Sequence, residues 1–164
     1  MTEPAEQRIV VGVKWSVGSL AALRWAAAEA RLRRVTLHVV HTWEPAARPA
    51  SYAILGDSPA GGQERLRAQD NLAAIMRAAF GAQSPAGITA EVTEGRAERI
   101  LADRSRDPGA CLLVLGAAAD TGVTGRPAGP VIRACMRSAR CPLVIITAAA
   151  EARLPVAATP VGVS

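Results

Sequence analysis

The stretch Leu112-Leu113-Val114-Leu115-Gly116 decides how this chain is read. It is an apolar run leading into a loop with further glycines at 122, 125 and 129, and then into Val131-Ile132-Arg133-Ala134-Cys135-Met136-Arg137-Ser138-Ala139. An apolar strand, a glycine-rich turn and a helix start together make a device for holding an anion. Glycine lets backbone N–H groups come close, and the helix N-terminus adds partial positive charge. Here the helix opens with Pro130, which has no N–H to give. Close packing of a helix on a sheet also selects glycine at such turns, so the loop alone leaves both readings open.

Outward from that stretch, the chain alternates strand and helix signals. Arg8-Ile9-Val10-Val11-Gly12-Val13 is short, apolar and β-branched, which predicts a buried strand. Ser16 or Ser19 can cap the next helix, on which Leu20, Leu23, Ala27 and Ala30 share a stripe. Residues 35–41 read as a second strand. Residues 43–62 hold Pro45, Pro49 and Pro59 with Gly56, Gly61 and Gly62 and show no period, which predicts a long loop of the lid, binding or mobile kind. A helical period returns over 63–80, with Leu72, Ile75, Met76 and Ala79 on one face. Residues 88–93 alternate apolar and polar, as in a strand at or near a sheet edge. Residues 96–106 predict a charged helix with Ala97, Ile100 and Leu101 inward, stopped by Asp107-Pro108-Gly109. Residues 111–115 form a fourth strand, Ile132, Cys135, Met136 and Ala139 the stripe of a fourth helix, and Leu143–Thr147 a fifth strand. Five strands alternating with four helices predict an α/β fold, a parallel sheet covered on both faces in three layers. The expected organisation is a polar extension at 1–7, one domain at 8–150 and a flexible tail at 151–164.

Composition narrows the function classes. The chain has 164 residues, half of them hydrophobic, with 3% aromatics, which suits small-residue helices packed on a sheet. The formal charge is +5, but Lys14 is the only lysine and the arginines are scattered, with one cluster at Arg31-Leu32-Arg33-Arg34 where a helix should end. A nucleic-acid surface would concentrate its cations and interleave aromatics, so no nucleic-acid partner is expected. No apolar run approaches the ~18 residues of a membrane span, and the start of the chain is polar and acidic, unlike a secretory signal. Cys111, Cys135 and Cys141 have no paired or metal-binding spacing, which predicts reduced thiols in a cytoplasmic protein without a metal. Cys111 and Cys141 precede strands expected to be neighbours, and free thiols are still the reading in a reducing cytosol. His38 and His41, three apart on a strand, should face opposite sides and cannot easily share an ion. Asp103, Asp107 and Asp120 read as charged surface positions.

Four segments, taken in order, resemble the universal stress protein family: RIVVGVKWSVGS at 8–19, LAALRWAAAE at 20–29, LHVVHTW at 37–43 and CPLVII at 141–146. The resemblance covers roughly residues 8–147. It implies a flavodoxin-like (Rossmann-like) sheet of order 3-2-1-4-5, with nucleotide bound at the switch point between strands one and four. The cleft positions it implies are Val13, Lys14, Ser16, Thr42, Gly116, Ala119, Gly129, Pro130 and Val131. In nucleotide-binding members an aspartate ends the first strand, and a G-x-x-G-x9-G-[S/T] loop follows the fourth. This chain keeps Gly116 and Gly129 but has Lys14 for the aspartate, Ala119 for the second glycine and Pro130 for the hydroxyl residue. Lysine reverses a charge, although it can also attract phosphate; alanine disfavours φ > 0; proline removes a hydroxyl and a donor. No nucleophile–base pair or carboxylate pair is recognisable, so no catalysis and no required cofactor are expected. The expectation is a non-catalytic homodimer, paired through Leu143–Thr147 and acting through an unidentified protein partner, with ATP binding weakened or lost. The alternative is a sensor that still binds ATP, AMP or another anion through Lys14.

Overall fold

A computed structural model describes residues 6–46, 59–118 and 128–148. In chain order the elements are β1 (Arg8–Val13), α1 (Val17–Arg33), β2 (Thr36–Trp43), α2 (Pro59–Phe80), β3 (Ile88–Glu94), α3 (Ala97–Arg104), β4 (Ala110–Ala117), α4 (Pro130–Ser138) and β5 (Leu143–Thr147). The strands form one parallel sheet, as the alternating pattern implied, in the order β3-β2-β1-β4-β5 that the resemblance implied. β1 lies in the middle because it is apolar on both faces, and nearly every residue of it is buried. α1 and α2 cover one face of the sheet; α3 and α4 cover the other.

Two cores follow from this layering. Ile9, Val11, Leu37, Val39, Leu112 and Val114 meet Ala22, Leu23 and Ala26 of α1 and Ile75 of α2. On the opposite face Val10, Val40, Leu113 and Leu115 meet Leu101 of α3 and Ile132 and Cys135 of α4. A fully buried aliphatic side chain is worth roughly 1.5–3 kcal/mol, so the central strands dominate the stability.

The helical stripes differ in detail from the sequence expectation. α1 buries Ser19, Ala22, Leu23, Ala26 and Ala30, while Leu20 and Ala27 lie at the margin of the contact. α4 buries Ile132 and Cys135 but turns Met136 outward, 64% exposed, since no described element packs on that side of the short helix. The expected loop 43–62 is shorter at both ends: Trp43 closes β2 and Pro59 opens α2. Residues 47–58 of that loop, Ala119 and Asp120, and the tail 151–164 lie outside the described residues.

Among the described residues no helix is long and apolar enough to cross a membrane. His38 and His41 face opposite sides of β2. His38 stands beside Glu91 of β3, which is clasped by Arg104 of α3, whereas His41 is buried towards α2. Among the described residues no group of three or more His, Cys, Asp or Glu could hold a metal ion.

Candidate functional site

At the carboxyl ends of the strands, where the chain leaves β1 for one face and β4 for the other, the sheet opens into a cleft of about 510 Å³. This is the switch point of an open parallel sheet, the place where such folds bind ligands, and the volume lies within the ~300–1,000 Å³ of small-molecule pockets. Of the residues the sequence singled out, Val13, Lys14, Thr42, Gly116, Gly129, Pro130 and Val131 all line it. Ser16 does not. Ala119 lies outside the described residues. The walls that sequence reasoning missed come from Val40, Ala97, Leu101, Leu115 and Ile132. They were visible only as core positions, and nothing in their spacing says that the core stops at a cavity.

The β1 side of the cleft is pinned by two serines. Ser16 is the N-cap of α1, with extended backbone, and its Oγ accepts the Ser19 N–H at 3.2 Å. Ser19 Oγ in turn accepts the Lys14 N–H at 3.2 Å. This variant of a capping box satisfies a first-turn donor of the helix and fixes the Lys14–Trp15–Ser16 turn at once. The Ser16 hydroxyl is therefore spent on the helix and does not line the cleft. A third tie comes from His41, whose Nδ1 lies 2.9 Å from the Val13 carbonyl oxygen. A carbonyl only accepts, so Nδ1 carries the proton and donates. Lys14 remains exposed at the rim, and beside it Trp15 is 65% exposed, outside the cleft wall.

Gly116 is where the structure separates the two readings of the glycine-rich turn. It belongs to β4, and a Cβ built on it would overlap the carbonyl of Gly18 and the backbone of Ser19 in α1. Reciprocally, a Cβ on Gly18 would overlap the Ala117 carbonyl oxygen. These two glycines let the first turn of α1 rest directly on the end of β4, so packing accounts for Gly116. Gly129 is different: among the described residues nothing lies within 4 Å of a Cβ placed on it, and its φ of −58° suits any residue. It is the N-cap of α4, makes no side-chain cap, and is followed by Pro130 in the first helical position. Proline fits there conformationally but brings no N–H to the cleft.

Lys14 is the only charged residue among the described residues that line the cleft; no carboxylate does. α3 supplies one wall through Ala97 and Leu101, and its far end is anchored on the same face of the sheet. Arg104 Nε and a terminal guanidinium nitrogen donate to the two Glu91 carboxylate oxygens at 2.8 and 3.3 Å. Partial burial raises the Glu91 carboxyl, but the Arg104 hydrogen bond and charge, with those of His38, outweigh it, so its pKa falls below the ordinary value. The Cys135 thiol under α4 is pushed up to about 11 by burial and by Glu98, which keeps it protonated and unreactive. Burial likewise raises Cys141. All three cysteines are free.

Comparison with known proteins agrees with this architecture. The model of the family described as "Universal stress protein family" matches residues 6–147. A universal stress protein of Mycobacterium tuberculosis is 32% identical over 143 residues, covering 84% of this chain and 46% of that protein. One from Mycobacterium bovis is 27% identical over 154 residues, covering 89% of this chain and 50% of that protein. The chain thus spans about half the length of these relatives. Among solved structures, UspA of Lactobacillus plantarum superposes with a TM-score of 0.62 at 20% identity, covering 86% of this chain and 97% of that one. The Archaeoglobus fulgidus universal stress protein in complex with dAMP gives a TM-score of 0.52 at 23% identity, covering 85% and 97%. At these identities the structural likeness speaks for the fold.

Proposed function

The chain belongs to the universal stress protein family, and from that premise we propose that it is a non-catalytic member whose cleft binds Mg-ATP weakly or not at all. One observation carries this reading: the end of the cleft where phosphates would sit begins with Gly129 and Pro130, which bring no hydroxyl, and Pro130 brings no N–H at the first helical position. A lost charge-assisted hydrogen bond costs about 1.5–3 kcal/mol, one to two decades in affinity. No histidine, cysteine or carboxylate stands among the described lining residues to activate the hydroxyls of Ser19 and Thr42, which supports the non-catalytic reading. Calorimetry with Mg-ATP tests the reading. A dissociation constant of about 0.1 mM or weaker supports it; a low-micromolar value refutes it.

A second reading, retained binding of a smaller nucleotide, is favoured by the cleft itself, which stays open and carries Lys14. The structural neighbours that carry dAMP, cAMP or AMP point the same way. Nucleotide retained through purification without additives, detected by mass spectrometry, separates the two readings.

The proposal includes a homodimer. β5 ends the sheet, is apolar throughout except for Thr147, and turns Ile145 to solvent. A bare apolar edge is a template for strand pairing, and two copies of β5 cover each other. Light scattering should give twice the 17.0 kDa chain mass, and Ile145→Pro should shift the protein towards monomer by removing a donor from the edge that faces away from β4.

A further inference from the structure

A second cavity, of about 370 Å³, lies on the α2 side of β2, between the end of that strand and the first half of α2. Among the described residues it shares only Thr42 with the cleft. We propose that it binds a small organic molecule through a protonated primary amine. The residues that carry this binding do not line the cleft, so it stands or falls apart from the Mg-ATP reading.

A buried acceptor supplies the first contact. The two-residue period of β2 sends His41 to the face that α2 covers, where it is only 8% exposed. Its Nδ1 donates to the Val13 carbonyl oxygen, so the neutral ring keeps a lone pair on Nε2. That atom has no hydrogen-bond partner among the described residues. Unlike His38 Nε2 on the opposite face, it is not sealed off, and so it opens into the pocket that the ring lines. What it lacks is a donor.

The charge of the ligand follows from the facing wall. Glu64, Arg67, Ala68 and Asn71 recur three and four apart, so one stripe of α2 closes the pocket. Ala68 is small and buried, which leaves the space open between helix and strand. A Glu64 carboxylate oxygen accepts the Ala46 N–H at 3.3 Å, which holds that side chain at the rim. Glu44 also lines the space, and neither glutamate has an ion pair among the described residues. Two carboxylates and a lone pair therefore face one cation, Arg67, and the indole of Trp43 adds a ring of the kind that attracts cations. An ammonium brings three donors to such a set. A metal ion fits less well, since no described group of three or more His, Cys, Asp or Glu could hold one. Arg67 is placed to take a carboxylate on the same molecule.

The test titrates the isotope-labelled full chain with n-butylammonium, norleucine and n-butanol. NMR follows the His41 ring and the backbone amides of Ala46 and Asn71. At least one amine should shift these signals to saturation while Gly116 and Val131 of the cleft stay still. Butanol has the same length without the charge and should bind at least about tenfold more weakly. Glu64→Gln keeps an acceptor for Ala46 but removes the charge, and should weaken amine binding about tenfold. Norleucine binding more tightly than butylammonium, with the advantage lost in Arg67→Met, assigns an amino acid. Butylammonium binding as tightly or more so assigns an amine without a carboxylate, such as a polyamine. The inference is overturned if neither amine saturates these signals by about 10 mM, if butanol binds as well as the amines, or if Glu64→Gln changes neither affinity. It is equally overturned if the amines shift Gly116 and Val131 instead. Each of these results leaves the Mg-ATP reading standing, since calorimetry with Mg-ATP decides that separately.

Discussion

The two ends of the cleft meet their ligand-facing backbone in opposite ways. At the β1 exit each device has a partner: Ser16 Oγ takes the Ser19 N–H, Ser19 Oγ takes the Lys14 N–H, and His41 donates to the Val13 carbonyl. Beside them Gly18 and Gly116 are pressed together without room for a methyl group. At the α4 entry no described residue stands near where a Cβ on the N-cap glycine would lie, no side chain caps the helix, and a proline fills its first position. The first end is built to hold the fold; the second lacks a cap hydroxyl and the N–H of its first helical residue. A glycine therefore means different things at the two ends, and only the surroundings of its missing Cβ tell which.

Substitutions should read that contrast as a ladder of effects. Gly18→Ala and Gly116→Ala meet backbone rather than yielding side chains, and each should cost about 3 kcal/mol or more, or prevent folding. Urea denaturation of the two variants checks this, and near-native midpoints would break the packing account. Ser16→Ala removes the N-cap of α1, and should cost about 1 kcal/mol in the same assay.

The α3 wall offers an intermediate case. Glu91→Gln should cost about 1 kcal/mol at neutral pH, since the pair is only partly buried. The Glu91 carboxyl titrates below its unfolded value near 4.5, so its contribution is complete above that value. It is lost as pH falls through the lower folded value. The native protein should thus lose its advantage over the variant as pH falls below that range, and a gap that stayed constant with pH would contradict the clasp. At the bottom of the ladder, Gly129→Ala should change stability by no more than ~0.5 kcal/mol, because reduced chain entropy offsets a slightly poorer cap.

Much of the molecule was legible from its residues. Apolar β-branched runs located all five strands, and the Asp107-Pro108-Gly109 stop placed the end of α3 within a few residues. The buried side of α1 was not legible, because alanine all round the helix gives no contrast between faces. Pro59 was read as loop although proline is welcome in a first helical turn. Met136 followed the helical period into a supposed core that the short α4 does not reach around to cover. For the site, the residues at the loop ends were found and the apolar walls were not. Val40, Leu101 and Leu115 carry the same signal whether they face a neighbour or a cavity. The packing role of Gly116 needed its partner Gly18, nearly a hundred residues away in sequence, before it could be told from a phosphate cradle.

The central claim is that Lys14, Ala119 and Pro130 together make this a poor ATP site on an otherwise intact family fold. Calorimetric titration of Mg-ATP into the native chain and into the triple variant Lys14→Asp, Ala119→Gly, Pro130→Ser tests it most directly. The account predicts little or no heat from the native chain and affinity at least tenfold higher in the restored protein, as one recovered charge-assisted hydrogen bond would give. Low-micromolar binding by the native chain, or a folded triple variant that stays inert, would contradict it.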